Sequence, residues 1–104
     1  MLRSQDFEKV HVEGFRISGR CLKLLYLPNS RQETRLGLAV GRKLGKAVKR
    51  NRLKRWIREI IRHHPAVIID GFDIVVLVKP QATDADFSAV SLDFLDLFNR
   101  LKHR

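Results

Sequence analysis

Apolar residues recur along this chain with two different periods, and the switches between them divide it into elements. Leu53, Trp56, Ile57, Ile60 and Ile61 fall at i, i+3, i+4, i+7 and i+8, one stripe of an α-helix. The spacing predicts a helix from about Ala47 to His64, stopped by Pro65. A second stripe, Phe87, Val90, Phe94, Leu97, Phe98 and Leu101, predicts a closing helix from about Asp86 to Lys102. Near the start, Phe7, Val10 and His11 share one face of a short helix. Ser4 is expected as its N-cap, Asp6 and Glu8 suit its first turn, and Gly14 ends it.

Between the helices the pattern is that of extended chain. Phe15 and Ile17 alternate with polar residues, and an apolar run from Leu22 to Leu27 follows, with Gly19 expected at a hairpin or bulge. Pro28 to Glu33 reads as a polar turn. Arg35 to Gly41 reads as a third strand, its glycines suited to close backbone approach. After an Asp70-Gly71 turn, Phe72 to Val78 is nearly all apolar, as a strand buried on both faces would be. Lys79-Pro80 ends it. The predicted order is α-β-β-β-α-β-α: an α/β (α+β) two-layer sandwich on one small sheet, a single domain over residues 1–104. There is no internal repeat, low-complexity segment or linker.

Charge changes the picture from fold to function. The 104 residues carry 21 Lys and Arg against 11 Asp and Glu, a formal net charge of +10, which favours polyanionic partners. The excess is local: from Arg42 to Arg62 ten basic residues face Glu59 alone, a net +9. Residues 1–41 carry +3 and residues 63–104 carry −2. On the predicted helix Asn51, Arg55, Arg58 and Arg62 form a stripe roughly opposite the apolar one. Like charges on one face lower helix stability. A polyanion relieves that repulsion, and arginine forks suit its phosphate oxygens. Gly41-Arg42-Lys43-Leu44-Gly45-Lys46 does not match the nucleotide-binding pattern GxxxxGK[ST]. A basic turn whose backbone amides meet RNA phosphates is expected there instead.

The remaining chemistry is sparse. Cys21 is the only cysteine, so an internal disulfide and a cysteine zinc site are excluded; a buried structural thiol is expected. No apolar stretch approaches the ~20 residues of a membrane span, and the first residues lack a signal-peptide core. A soluble, cytoplasmic protein without membrane contact is expected. His11, His63, His64 and His103 lack metal-ligand spacing, and His63 and His64 are expected to close their helix. Asp70, Asp73, Asp84 and Asp86 fit capping better than a metal cluster. Trp56 lies in the apolar stripe and is expected to pack. No catalytic constellation is visible.

The run Arg35-Leu36-Gly37-Leu38-Ala39-Val40, then Lys43-Leu44-Gly45-Lys46-Ala47-Val48, then Arg50-Asn51-Arg52-Leu53-Lys54-Arg55-Trp56-Ile57-Arg58-Glu59 resembles the signature of the bacterial ribonuclease P protein family. Weaker similarity extends over nearly the whole chain, through Asp6-Phe7, Gly14, the Phe72 to Val78 strand and Lys79-Pro80. The resemblance implies a ribosomal-protein-like sandwich with a left-handed β-α-β crossover through the basic helix, where the general rule favours the right-handed form.

It also implies a division of labour. Arg42, Lys43, Lys46, Lys49, Arg50, Asn51, Arg52, Lys54, Arg55, Arg58 and Arg62 would dock on the ribonuclease P RNA. A cleft between the first helix and the sheet, with Phe7, His11, Lys23, Leu25 and Lys79, would receive the 5′ leader of precursor tRNA. Cleavage would belong to the RNA and its Mg2+, with no catalytic residue, metal or cofactor on the protein, which would be a monomer in a 1:1 complex. His11 stands where the family often has an aromatic residue, and Leu25 where a tyrosine can occur, so stacking would rest mainly on Phe7. The short N-terminus lacks the basic extension of many relatives, and weaker tRNA or leader contacts are expected. Two other classes compete on composition alone: a structural RNA-binding protein without a processing role, and, more weakly, a DNA-binding domain reading the major groove.

Overall fold

A computed structural model describes residues 2–103 and leaves the side chain of Arg42 outside the described part. It contains α1 (Ser4–Glu13), β1 (Phe15–Ser18), β2 (Leu22–Pro28), β3 (Arg35–Val40), α2 (Ala47–His63), β4 (Phe72–Val78) and α3 (Phe87–Lys102). This is the element order the periodicity predicts. Short 3-10 turns at Arg42–Leu44, Pro65–Val67 and Pro80–Asp84 join them.

The four strands form one sheet in the order β1-β2-β4-β3. The first three in that row pair antiparallel, whereas β3 runs parallel to β4, with Arg35 opposite Asp73 and Leu38 opposite Val76. A parallel pair cannot be closed by a tight turn, so α2 serves as the crossover between β3 and β4.

Both faces of the central strands are covered, which explains why β2 and β4 are apolar at odd and even positions alike. Leu22, Leu24 and Tyr26 of β2 and Ile74, Val76 and Val78 of β4 face α2 and α3. There they meet Leu53, Ile57 and Ile60 from one helix and Phe94, Leu97, Phe98 and Leu101 from the other. Phe94 and Phe98 stack with centroids 4.5 Å apart. On the opposite face α1 buries a smaller cluster of Leu2, Val10, Leu25 and Val75.

Local expectations are corrected at a few points. Ser4 is inside α1, and Arg3 takes the cap position; its backbone N–H donates to the Asp6 carboxylate at 3.0 Å. The third strand stops at Val40, before Gly41, and α2 stops at His63. Asp86 does cap α3, accepting from the Ala89 N–H at 2.8 Å. Asp73 caps nothing: it lies buried in β4 and is held by Arg35 and Asn29.

Candidate nucleic-acid interface

The apolar stripe of α2 packs inward, so its remaining positions are forced toward solvent. Lys43, Lys46, Lys49, Asn51, Arg55, Arg58 and Arg62 are exposed, while Arg50, Arg52 and Lys54 are half-buried. Arg42 opens the turn before the helix; the contact expected of its side chain lies outside the described residues. The first turn of α2 contains no acid, so Lys49 and Arg50 sit at the positive end of the helix dipole, where cations are disfavoured. Among the described residues no carboxylate pairs with Lys43, Lys46, Lys49, Arg55 or Arg58. Glu59, the one acid of the segment, engages Arg62 and also His63, at 2.9 Å. Those two hydrogen bonds, Arg62's first, hold its carboxyl below the usual range. Arg62 is therefore partly neutralised, whereas the face from Lys43 to Arg58 is bare positive charge.

Arg52 has a second role. Its guanidinium lies 5.0 Å over the Trp56 ring, and Trp56 meets Phe87 edge-on at 5.8 Å. Trp56 is thus occupied by packing, as its stripe position predicts. The Nε atoms of Arg50 and Arg52 are buried without a hydrogen-bond partner among the described residues, so protein packing rather than polar bonding holds these two stems.

The expected leader cleft lies on the other face of the sheet. Phe7 reaches from α1 onto Gly37 of β3, where a Cβ would stand only 2.4 Å from the Phe7 Cζ. The ring can lie there because the strand has no side chain at that point. His11 is exposed on α1. Lys23 is half-buried opposite Leu77, with Ser18 across from it on β1. It has no ion pair or hydrogen bond among the described residues, and a half-buried ammonium without an anion is unfavourable. Lys79 shares this face; its ammonium donates to the Ser18 Oγ at 2.5 Å and the Gly19 carbonyl at 2.6 Å. Leu25 differs from the other four: it is 3% exposed beneath α1, against Val10 and Val75. It is sealed beneath the helix, so its side chain has little surface to offer a ligand.

Sequence reasoning missed the residues that hold this surface in place. Asp93 of α3 accepts from the backbone N–H groups of Arg20, Cys21 and Leu22 at 3.0, 2.9 and 2.8 Å. It thereby fixes the β1–β2 turn that binds Lys79. Arg35 bridges Asp6 of α1 to Asp73 of β4. The signal for Asp93 was an acid beside the apolar stripe of α3, and nothing in the sequence pairs it with a turn some seventy residues away. Cys21 is buried at that turn, and burial, then the Asp93 charge, push its thiol up, away from the thiolate that reactivity needs. No cluster of three or more His, Cys, Asp or Glu among the described residues is placed to hold a metal ion, and no described helix is long and apolar enough to cross a membrane.

A mixed sheet backed by two helices, one presenting an acid-poor row of arginines and lysines, defines a basic α+β polyanion-binding domain. Comparison with known proteins narrows that class. The Ribonuclease P family profile matches residues 1–102. The ribonuclease P protein component of Thermotoga petrophila is 39% identical over 102 residues, covering 94% of this chain and 87% of that protein. That of Caldanaerobacter subterraneus is 34% identical over 82% of this chain and 73% of its own. Among solved structures, the Thermotoga maritima RNase P protein superposes with a TM-score of 0.87 at 39% identity, over 95% of this chain and 94% of that one. The Staphylococcus aureus RNase P protein gives 0.88 at 28% identity, over 98% and 94%. The chain belongs to the ribonuclease P protein family, as a protein subunit whose partner is the ribonuclease P RNA.

Proposed function

We propose that this subunit helps ribonuclease P remove the 5′ leader of precursor tRNA, with bond cleavage carried out by the RNA and its magnesium ions. In this reading α2 and the preceding turn lie on the catalytic RNA, and Phe7, His11, Lys23 and Lys79 meet the leader over a floor that includes Leu25. One protein, acting as a monomer in the cytoplasm, serves one RNA. The observation that carries the reading is the basic surface of α2 and the turn before it, where Lys43, Lys46, Lys49, Arg55 and Arg58 are exposed with no carboxylate partner among the described residues. Screening by these cations lets two polyanions approach each other, and a leader held in register places the scissile bond.

The test is cleavage of a precursor tRNA by a bacterial ribonuclease P RNA at low magnesium, with and without this protein. Strong stimulation, with no cleavage by the protein alone, is expected. Tight RNA binding without stimulation would leave a structural RNA-binding role in its place.

A further inference from the structure

Arg52 stands four residues before Trp56 on α2, so the two side chains are neighbours on the helix surface. Its guanidinium lies over the indole at 5.0 Å, and its Nε is buried with no hydrogen-bond partner among the described residues. A buried donor without an acceptor is unfavourable in the free protein, so this head group is held in place at a cost. Its two terminal nitrogens are not buried, and Arg52 makes no ion pair or hydrogen bond among the described residues. One side of the guanidinium is therefore fixed against the protein while the fork stays open to an anion. Arg55 and Arg58 are exposed instead, and long exposed side chains give up rotamer freedom when they bind.

The indole is braced from outside the basic helix. Phe87, the first residue of α3, meets it at 88° with ring centroids 5.8 Å apart. The Asp86 cap fixes the start of that helix, and Phe87 keeps 38% of its surface exposed at the rim of the core. We infer that Trp56 and Phe87 are positioning residues for RNA docking: Phe87 braces the indole, the indole presets the Arg52 guanidinium, and the preset fork meets a phosphate of the RNA on which α2 docks. The inference rests on the function proposed above, which places α2 on that RNA. Packing that orders a side chain beforehand removes the cost of ordering it at the interface. Two uncharged residues thus set part of the affinity, and one of them belongs to a different helix. Direct stacking of a base on Trp56 fits less well. The guanidinium covers one part of the ring, and the rest packs on Phe87 and the core.

The first measurement needs no RNA. In the 15N-labelled full chain the Arg52 Nε–H should exchange slowly with water and carry a ring-current shift. Trp56→Leu should abolish both signatures, and Phe87→Ala should reduce them. An Arg52 signal in the parent as averaged as that of Arg55 would overturn the inference. Affinity for a bacterial ribonuclease P RNA comes second. Trp56→Leu and Phe87→Ala should each weaken it by about two- to tenfold, with the salt dependence of the parent, because no charge is removed. In an Arg52→Ala background neither substitution should weaken binding further. Losses that add to that of Arg52→Ala would overturn the inference, since direct contact with RNA or general destabilisation would act in both backgrounds. Unchanged affinity in Arg52→Ala, with losses in Arg55→Ala and Arg58→Ala, would overturn the positioning role alone. Unchanged affinity in all three would take α2 off the RNA and overturn the function proposed above as well.

Discussion

Arg35 and Asp73 sit directly opposite each other on the parallel strands β3 and β4, and their side chains meet at 2.6 Å. The same guanidinium reaches Asp6 of α1 at 3.3 Å. One arginine therefore ties the edge strand, the central strand and the cleft helix together. Because Asp73 is buried, removing Arg35 strands a carboxylate, which is costlier than never having had the pair. Arg35→Ala should cost about 2–3 kcal/mol of stability in urea unfolding near neutral pH.

The same pair predicts acid sensitivity. The Arg35 hydrogen bonds, helped by Asn29 and opposed by burial, hold the Asp73 carboxyl below the usual range. The unfolded chain thus takes up this proton more readily than the folded one. The contribution is complete above the ordinary carboxylate value near pH ~4 and is lost as pH falls through the lower folded value. The stability gap between the parent and Arg35→Ala should accordingly narrow below about pH 4. A gap of constant size down to strong acid would remove Asp73 ionisation as its cause.

Asp93→Ala leaves three backbone N–H groups at the β1–β2 turn without their acceptor. We expect a loss of about 2–3 kcal/mol, seen as a Tm lower by roughly 10–20 °C in a domain of this size. Asp93→Asn keeps one acceptor oxygen and should fall between. A Tm unchanged in Asp93→Ala would show that water replaces the carboxylate.

Lys23 gives the opposite combination. Its ammonium has no ion pair or hydrogen bond among the described residues, so Lys23→Ala should leave stability within about 0.5 kcal/mol. Binding of precursor tRNA should weaken while binding of mature tRNA holds. Equal affinities of parent and variant for precursor tRNA would remove Lys23 from the cleft.

At Phe7, packing and stacking must be separated. Phe7→Leu retains an apolar side chain over Gly37 but removes the ring, and Phe7→Ala removes both. Both should weaken binding of tRNA carrying a leader and spare mature tRNA. Equal weakening for the two ligands in either variant would count against leader stacking.

On α2, Arg55→Ala and Arg58→Ala should each weaken binding to the catalytic RNA. Each should also flatten the dependence of log K on log salt, by about 0.7–0.9 for every phosphate the protein no longer neutralises. Slopes unchanged in both variants would take this face out of the interface.

The helices and β4 were legible in the sequence because each has a single apolar stripe or a continuous apolar run of strand length. The basic face was legible for the same reason: once Leu53, Ile57 and Ile60 turn inward, the charged positions have nowhere else to go. Leu25 was not. In a strand covered on both faces, apolar residues at alternate positions look alike, and only the placement of α1 shows which of them is sealed. Arg35 with Asp73 and Asp93 with its turn escaped because their partners are distant in sequence. The strand order that joins them comes from packing, not from local preference.

The separation of charge along the chain also governs how an encounter begins. The net +9 lies in α2 and the turn before it, whereas residues 63–104, which include β4 and α3, carry −2. In the field of a polyanion the molecule experiences a torque as well as an attraction, so it arrives with α2 leading. Fewer collisions are then wasted on wrong orientations, and capture is fastest where counterions are scarce. Spreading a few charges of α2 over the rest of the surface at constant net charge would slow association even if the final complex could be rebuilt in full.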